Sequence, residues 1–478
     1  MIRDFYIDSI RRQMGFAPTL EQAEAIDAFA DYMTCREEHP VFILSGSAGT
    51  GKTTLAAAIV KAMVEMKQKI VLLAPTGRAA KVFSLYAGQP AYTIHRRIYR
   101  QRSGAIGMEG FSLNDNLHTD TLFIIDEASM IANQGYGESG FGSGCLLDDL
   151  VRYVNSGRNC RMMLIGDKAQ LPPVGEEESP ALMPQVMRCY GSEVMHSTLN
   201  EVVRQGEESG ILWNATKVRS MISDEYATEL PKVWFHGFED IRNVPGNELI
   251  EELASSYSRA GLDDTIVITR SNKLAIRYNN GIRNMVLGNE DELCSGDRLM
   301  VVKNNYFWTE KEKLALPFIA NGDRVRVERV RNIRELYGFR FADVTMSFPD
   351  YDNMELTATV NLNTLRSEAP ALTREESDLF FNKVMEDYQH IPLKADRFKA
   401  MRQDIYFNAL QVKYAYAVTC HKAQGGQWSH VYVDQGYMTD DMLTPDYLHW
   451  LYTAFTRATE RLYLVNWPEK QRSFLNEE

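Results

Sequence analysis

The chain has no run of about 18 consecutive apolar residues, so a membrane-spanning helix is not expected. Its opening, MIRDFYIDSIRRQMGF, places charges where a secretory signal would keep an apolar core, and the expectation is a soluble, unexported, cytoplasmic protein. The six cysteines (Cys35, Cys145, Cys160, Cys189, Cys294 and Cys420) form no CxxC pair. That pattern suggests neither a zinc site nor a disulfide framework, and leaves reduced thiols as the reading. Short-period repeats and long low-complexity tracts are also lacking. The one biased stretch, GYGESGFGSG at Gly135 to Gly144, reads as a mobile loop rather than a site. Basic charge is not in excess: the net charge of -12 argues against a simple polyanion binder, though not against a local basic groove. No acidic metal cluster stands apart from Asp126 and Glu127, which argues against a nuclease.

At 478 residues the chain exceeds what one hydrophobic core supports, and three or four compact units are expected. From Val41 a short apolar run, VFILS, is followed by GSAGTGKT and then by the alanine-rich TLAAAIVKAMVEM, which predicts strand, loop and helix. KIVLLAP, TLFIID and RMMLIGD alternate with helix-like segments, the pattern of a parallel sheet covered on both faces. A first α/β domain is therefore placed at residues 1–198. TIVITR, VYVDQ and RLYLVN predict a second one, split into 199–295 and 402–478. Between its halves, DRLMVVKNN, NGDRVRVERV, GFRFADVTM and NMELTATVNL alternate with period 2 and are divided by turn residues. They predict a small antiparallel barrel or sheet, with a charged helical extension after Leu372, over 296–401.

Gly46, Ser47, Ala48, Gly49, Thr50, Gly51, Lys52 and Thr53 form a complete GxxxxGKT phosphate loop in the strand-to-helix context the motif needs, with Thr54 following. Its glycines let backbone N–H groups close around phosphates at the positive end of a helix. Lys52 is expected to reach the β- and γ-phosphates of ATP, and the Thr53 hydroxyl to ligate Mg²⁺. In LFIIDEASM, Asp126 is expected to hold Mg²⁺, usually through water, and Glu127 to orient and deprotonate the attacking water. Gln170, in LIGDKAQLPPV, is a candidate γ-phosphate contact. Gln22, in FAPTLEQ, is either an adenine-edge reader through its amide or a plain surface-helix residue.

These blocks and their order resemble the motif set of superfamily 1 helicases of the RecD, Dda and Pif type. Gln22 matches the Q motif, GSAGTGKT motif I, APTGRAA motif Ia, TIHR motif Ib, DEAS motif II and GDKAQLPPV motif III. EVVRQ resembles motif IV, YAYAVTCHKAQGGQW motif V and YTAFTRATERLYLV motif VI. The resemblance implies two RecA-like domains, an SH3-like barrel inserted in the second, and a short hairpin pin at about 101–120. It also implies that Arg204 and Arg457 cross the interdomain cleft to the γ-phosphate, where an arginine is worth ~10³ to 10⁵ in rate. For a DNA track it points to Pro75, Thr76, His95, Thr419, His421, Lys422 and Gln424, with phosphate contacts that position without reading sequence. His95 and His421 are alternatively plain polar loop residues. Arg96, in IHRRIYRQR, belongs to the most basic segment, which is either a patch of positive potential or a solvated charged face. The activity so implied is an ATP-dependent DNA helicase with a monomeric core. It would translocate 5′ to 3′ on single-stranded DNA and open tailed duplex, without membrane attachment and with protein partners left open. An RNA helicase, or an ATPase subunit that loads without unwinding, are the rival readings.

Overall fold

The computed structural model describes residues 2–101, 111–135, 142–202, 209–223, 229–314 and 318–473. Six parallel strands form the first sheet, in the spatial order Ala91–Thr93, Lys69–Ala74, Thr121–Ile125, Arg161–Gly166, Val41–Gly46 and Val194–Leu199. Its strands Thr121–Ile125 and Val41–Gly46 are buried at every position because both faces are covered. Phe42 and Leu44 pack with Phe29, Leu55 and Ile59 on one side, while Val41 and Ile43 pack with Leu147, Leu150 and Val154 on the other. The expected boundary at 198 falls one residue before this sheet ends.

The second sheet is also parallel, in the order Ala417–Thr419, Thr265–Thr269, Trp428–Asp434, Ala458–Val465 and Ile241–Val244. Helices Gly210–Ile222 and Pro445–Phe455 contribute Ile211, Ala215, Leu451 and Phe455 to the core on one of its faces. Among the described residues no helix is long and apolar enough to cross a membrane.

The insertion is a closed five-stranded barrel built from Arg298–Val301, Arg324–Leu336, Phe339–Phe348, Met354–Asn361 and Leu410–Tyr414. Its fifth strand corrects the expected return to the second domain at residue 402. Leu410 and Val412 have both faces of a pairing to satisfy, against Val360 on one side and Val301 on the other, and so close the barrel before the chain leaves it. The helical extension also has a packing reason. Along Phe339–Phe348 the even positions Ala342, Val344, Met346 and Phe348 point into the barrel, which puts Phe339 and Phe341 outside. Helices Arg374–Asp387 and Lys394–Arg402 cover those two rings with Phe380, Val384 and Met401.

Where a pin is implied, Tyr99–Gln101 pairs antiparallel with Phe111–Leu113. The turn between them, 102–110, lies outside the described residues. The Phe111 ring sits 4.7 Å from Tyr306 and 5.9 Å from Phe318, so the base of the hairpin rests on the connection between the first and second barrel strands. Of the biased Gly135 to Gly144 stretch, 136–141 lie outside the described residues, and its end is held in place. Gly142 N–H donates to Phe111 O at 2.7 Å and Ser143 N–H to Asp149 Oδ2 at 2.9 Å. A Cβ on Gly142 would come within 2.0 Å of Asp149 Oδ2, so only glycine permits that approach.

Candidate active site

The phosphate loop leaves the strand Val41–Gly46 and enters the helix Lys52–Glu65 through Gly49 at φ +78° and Gly51 at φ +81°. Residues with a Cβ rarely adopt that conformation, and it turns the loop's N–H groups inward. Gly51 is the N-cap and supplies no side-chain acceptor, so the N–H groups of the first helical turn keep their positive end for an external anion. Lys52 Nζ donates to Ser47 O at 2.7 Å and lies 4.0 Å from Asp167 Oδ2. Thr53, on the first turn, is exposed.

Facing the loop, Asp126 and Glu127 end the strand Thr121–Ile125. Asp126 accepts from the Tyr86 hydroxyl and from the Glu127 N–H at 2.9 Å. Burial raises the affinity of both carboxyls for a proton. For Asp126 the Tyr86 bond, the Glu127 N–H and the Lys52 charge pull the other way; for Glu127 the chief opposing influence is the charge of Arg457. Glu127 has φ +52°, the left-handed region, which costs a residue with a Cβ roughly 1–2 kcal/mol. Such strain is held where surrounding structure fixes the side chain's aim. The donor set therefore suits a nucleotide triphosphate with a magnesium ion. Loop N–H groups and Lys52 meet phosphate oxygens, and Thr53 and Asp126 supply one hydroxyl and one carboxylate, leaving the other ligands to phosphate and water. Gln170 is buried beside this cleft with its Oε1 lacking a hydrogen-bond partner, an acceptor that a nucleophilic water can use.

Arg457 comes from the second sheet's side of the cleft, as the resemblance implies. It is 3% exposed, and its guanidinium donates to Thr453 O, Gly426 O and Thr456 Oγ1 at 3.1 to 3.3 Å. Arg204 lies outside the described residues. Two further second-domain groups reach the loop without having been singled out from the sequence. Tyr452 Oη accepts from Ala48 N–H at 2.8 Å and donates to Asp167 Oδ2 at 2.6 Å, and burial raises its pKa well above the usual phenol value. Arg219 donates to Ser47 Oγ. Tyr452 lies within the quoted YTAFTRATE block, whereas Arg219 sits in an ordinary helix with nothing around it to mark it. Motif III itself is also gripped from the second domain: Leu171 N–H donates to Thr453 Oγ1 at 2.7 Å, and Ala169 O is 2.9 Å from His449 Nδ1.

Several expected contacts are corrected. Gln22 is 1% exposed; its Oε1 accepts from Thr19 N–H at 3.1 Å and its Nε2 donates to Thr50 O at 3.1 Å. Through these bonds it caps its own helix and braces the phosphate loop, and the amide keeps a second N–H and a second lone pair. Gln424 is buried too, donating to Leu171 O at 2.6 Å, which makes it a motif V to motif III tie instead of a DNA contact. Arg96 stacks 4.1 Å from the Tyr351 ring centroid, donates to Phe318 O at 3.4 Å and lies 3.9 Å from Asp323 Oδ2. It belongs to the joint with the barrel. Its neighbours have partners as well, Arg97 with His118 at 2.8 Å and Arg100 with Asp115 at 2.9 Å, while Arg102 lies outside the described residues. His95 is half-buried near Tyr99; burial lowers its pKa to about 4, which keeps the ring neutral.

The other track candidates lie on motifs Ia and V. Pro75 and Thr76 stand at the start of helix Gly77–Ala87, where Thr76 Oγ1 accepts from Ala79 N–H at 3.2 Å. A Cβ on Gly425 would come within 3.1 Å of that oxygen, so motifs Ia and V abut. Arg78 stacks 4.3 Å from the Trp428 ring across the same seam. Lys422 is exposed and donates to Asn321 Oδ1 at 2.6 Å. Thr419 and His421 line a cleft of about 580 Å³ with Leu171, Arg270 and Trp450.

A family model described as an AAA domain matches residues 19–220, and one described as a UvrD-like helicase C-terminal domain matches residues 414–465. The chain is similar to the ATP-dependent DNA helicase dda of Enterobacteria phage T4, 25% identical over 81% of this chain and 86% of that protein. It is also similar to the ATP-dependent RecD2 DNA helicase of Deinococcus radiodurans, 32% identical over 32% of this chain and 18% of that protein. The crystal structure of a Bacteroides Pif1 helicase in complex with ADP-AlF3 and ssDNA aligns with a TM-score of 0.48 at 15% identity, covering 96% of this chain and 95% of that one. With the motifs in order on two parallel-sheet domains and a barrel set into the second, the chain belongs to the superfamily 1 helicases of the RecD, Dda and Pif type.

Proposed function

We propose that the protein is an ATP-dependent DNA helicase that moves 5′ to 3′ along single-stranded DNA and opens tailed duplex. The observation that carries this reading is the divided nucleotide site: phosphate loop, Asp126 and Glu127 belong to the first domain, while Arg457 and Tyr452 reach in from the second. Hydrolysis at such a site is coupled to relative movement of the two halves. Lys52 and the loop N–H groups hold the β- and γ-phosphates, with Thr53 and Asp126 placed to hold magnesium, which when bound neutralises phosphate charge. Glu127 takes a proton from the water that attacks the γ-phosphorus, and the bond to the β-γ bridging oxygen breaks to release ADP and phosphate. Arg457 stabilises charge on the transferring group.

Pro75, Thr76, Thr419, His421 and Lys422 are the residues we assign to the path of a single strand, a reading supported by the abutting of motifs Ia and V at Thr76 and Gly425. Closing the cleft shifts one side of that seam against the other. The Tyr99–Gln101 and Phe111–Leu113 hairpin, braced at Phe111, stands where a wedge would meet the duplex. Because both halves of the site come from one chain, the working core is monomeric. The six cysteines are all free thiols, which favours a cytoplasmic setting.

Strand displacement on duplexes with a 5′ or a 3′ single-stranded tail tests the reading. ATP-dependent opening of the 5′-tailed substrate is expected. Opening only from the 3′ tail would overturn the polarity, and stimulation of ATP turnover by RNA but not by DNA of matched sequence would overturn the substrate.

A further inference from the structure

Three consecutive residues of the phosphate loop each meet a side chain of the second α/β domain. Arg219 donates to Ser47 Oγ. Tyr452 Oη accepts from Ala48 N–H at 2.8 Å. Leu212, one turn into the helix that carries Arg219, would stand 3.1 Å from a Cβ placed on Gly49. The tyrosine contact is the most constrained of the three. Tyr452 is 1% exposed, and its single hydroxyl proton is given to Asp167 Oδ2 at 2.6 Å. The result is a directional chain from backbone N–H to phenol to carboxylate, and the same carboxylate lies 4.0 Å from Lys52 Nζ.

Loops of this kind hold polyphosphate through their backbone N–H groups and their lysine. The Ala48 N–H has one proton to share, so a phosphate oxygen and Tyr452 Oη are competitors for it. We propose that Tyr452 is a displaceable plug of the phosphate loop: nucleotide takes the Ala48 N–H from the Tyr452 hydroxyl, and the second domain thereby senses that the loop is filled. This rests on the reading of the loop as a nucleotide site. Arg219 acts at the same mouth in the opposite sense, because a guanidinium beside Ser47 draws an incoming phosphate whether or not the plug is in place.

The two side chains therefore predict effects of opposite sign. Binding of a fluorescent ADP analogue and of ATP is measured at equilibrium on the full chain without DNA. Tyr452→Phe removes the competitor for one hydrogen bond and is expected to lower the Kd of both nucleotides about 2- to 10-fold. Arg219→Ala is expected to raise both Kd values, with partial rescue in Arg219→Lys. A merely structural Tyr452 would lower the melting temperature and weaken binding, so unchanged or weaker binding in Tyr452→Phe overturns the plug. Should that variant not fold, hydrogen exchange on the wild-type chain decides. ADP is expected to protect residues 46–54 while increasing exchange around 450–457, and protection of both segments overturns the proposal. Absence of any nucleotide binding by the wild-type chain would instead remove the site reading itself.

Discussion

The two α/β domains place a strand, a turn and a helix in corresponding positions and finish them differently. In the first, Val41–Gly46 runs through five residues, Ser47 to Gly51, into a helix whose N-cap glycine contributes no side-chain acceptor. In the second, Thr265–Thr269 passes through only Arg270 and Ser271 before the helix Asn272–Gly281 begins, and Ser271 Oγ accepts from Leu274 N–H at 3.2 Å. That helix satisfies one of its own orphan donors, whereas the first leaves them for a ligand. Arg270 turns back into its own domain, 5.5 Å from the Tyr447 ring and 6.0 Å from Trp450. One domain is thus built to bind phosphate. Its counterpart meets that loop with side chains from other elements, Arg219 from helix Gly210–Ile222 and Tyr452 from helix Pro445–Phe455, while the charge of Arg457, just beyond the latter, acts on Glu127.

The contrast breaks most visibly at the first domain's own chemistry. Glu127→Gln is expected to reduce ATP turnover about 10²- to 10⁴-fold while sparing nucleotide affinity, because the carboxylate acts on water in the transition state. Lys52→Ala is expected to lose turnover and affinity together, since its charge meets the bound phosphates in both states. Equilibrium binding beside steady-state turnover separates the two, and near wild-type turnover in Glu127→Gln would remove it as the base.

Much of this half of the site was legible in the chain because it is local. The phosphate loop lies within eight residues, and the Asp126–Glu127 pair closes a fully buried strand. A further role of Gln22 was legible too: Thr19 and Gln22 have the spacing of a capping box, which ties the amide oxygen to the helix end. What the sequence could not place were contacts whose partners are remote. Tyr452 lies 404 residues from Ala48, Arg219 172 from Ser47 and Gln424 253 from Leu171, and only the packing of two domains brings them together. The basic run around Arg96 misled for the same reason. Arg96 meets Tyr351 and Asp323, Arg97 meets His118 and Arg100 meets Asp115, none of which the run's own composition reveals.

A smaller effect sharpens the comparison from the second domain. Ser271→Ala removes a helix cap and is expected to cost about 0.5–2 kcal/mol of stability, read by chemical denaturation. Nucleotide affinity should not change, because that helix end serves no ligand. A weakened Kd for ATP in this variant would mean that the second turn also faces the nucleotide.

The central claim is that one chain assembles a single hydrolytic site from two unlike halves. Mixing Lys52→Ala chains, which lack the first-domain lysine, with Arg457→Ala chains, which lack the second-domain arginine, tests it by steady-state ATP turnover on single-stranded DNA. Each variant alone is expected to be inactive, and the equimolar mixture is expected to stay so, because neither chain can lend its intact half to the other. Recovery of turnover on mixing would contradict the claim and place the site between two chains.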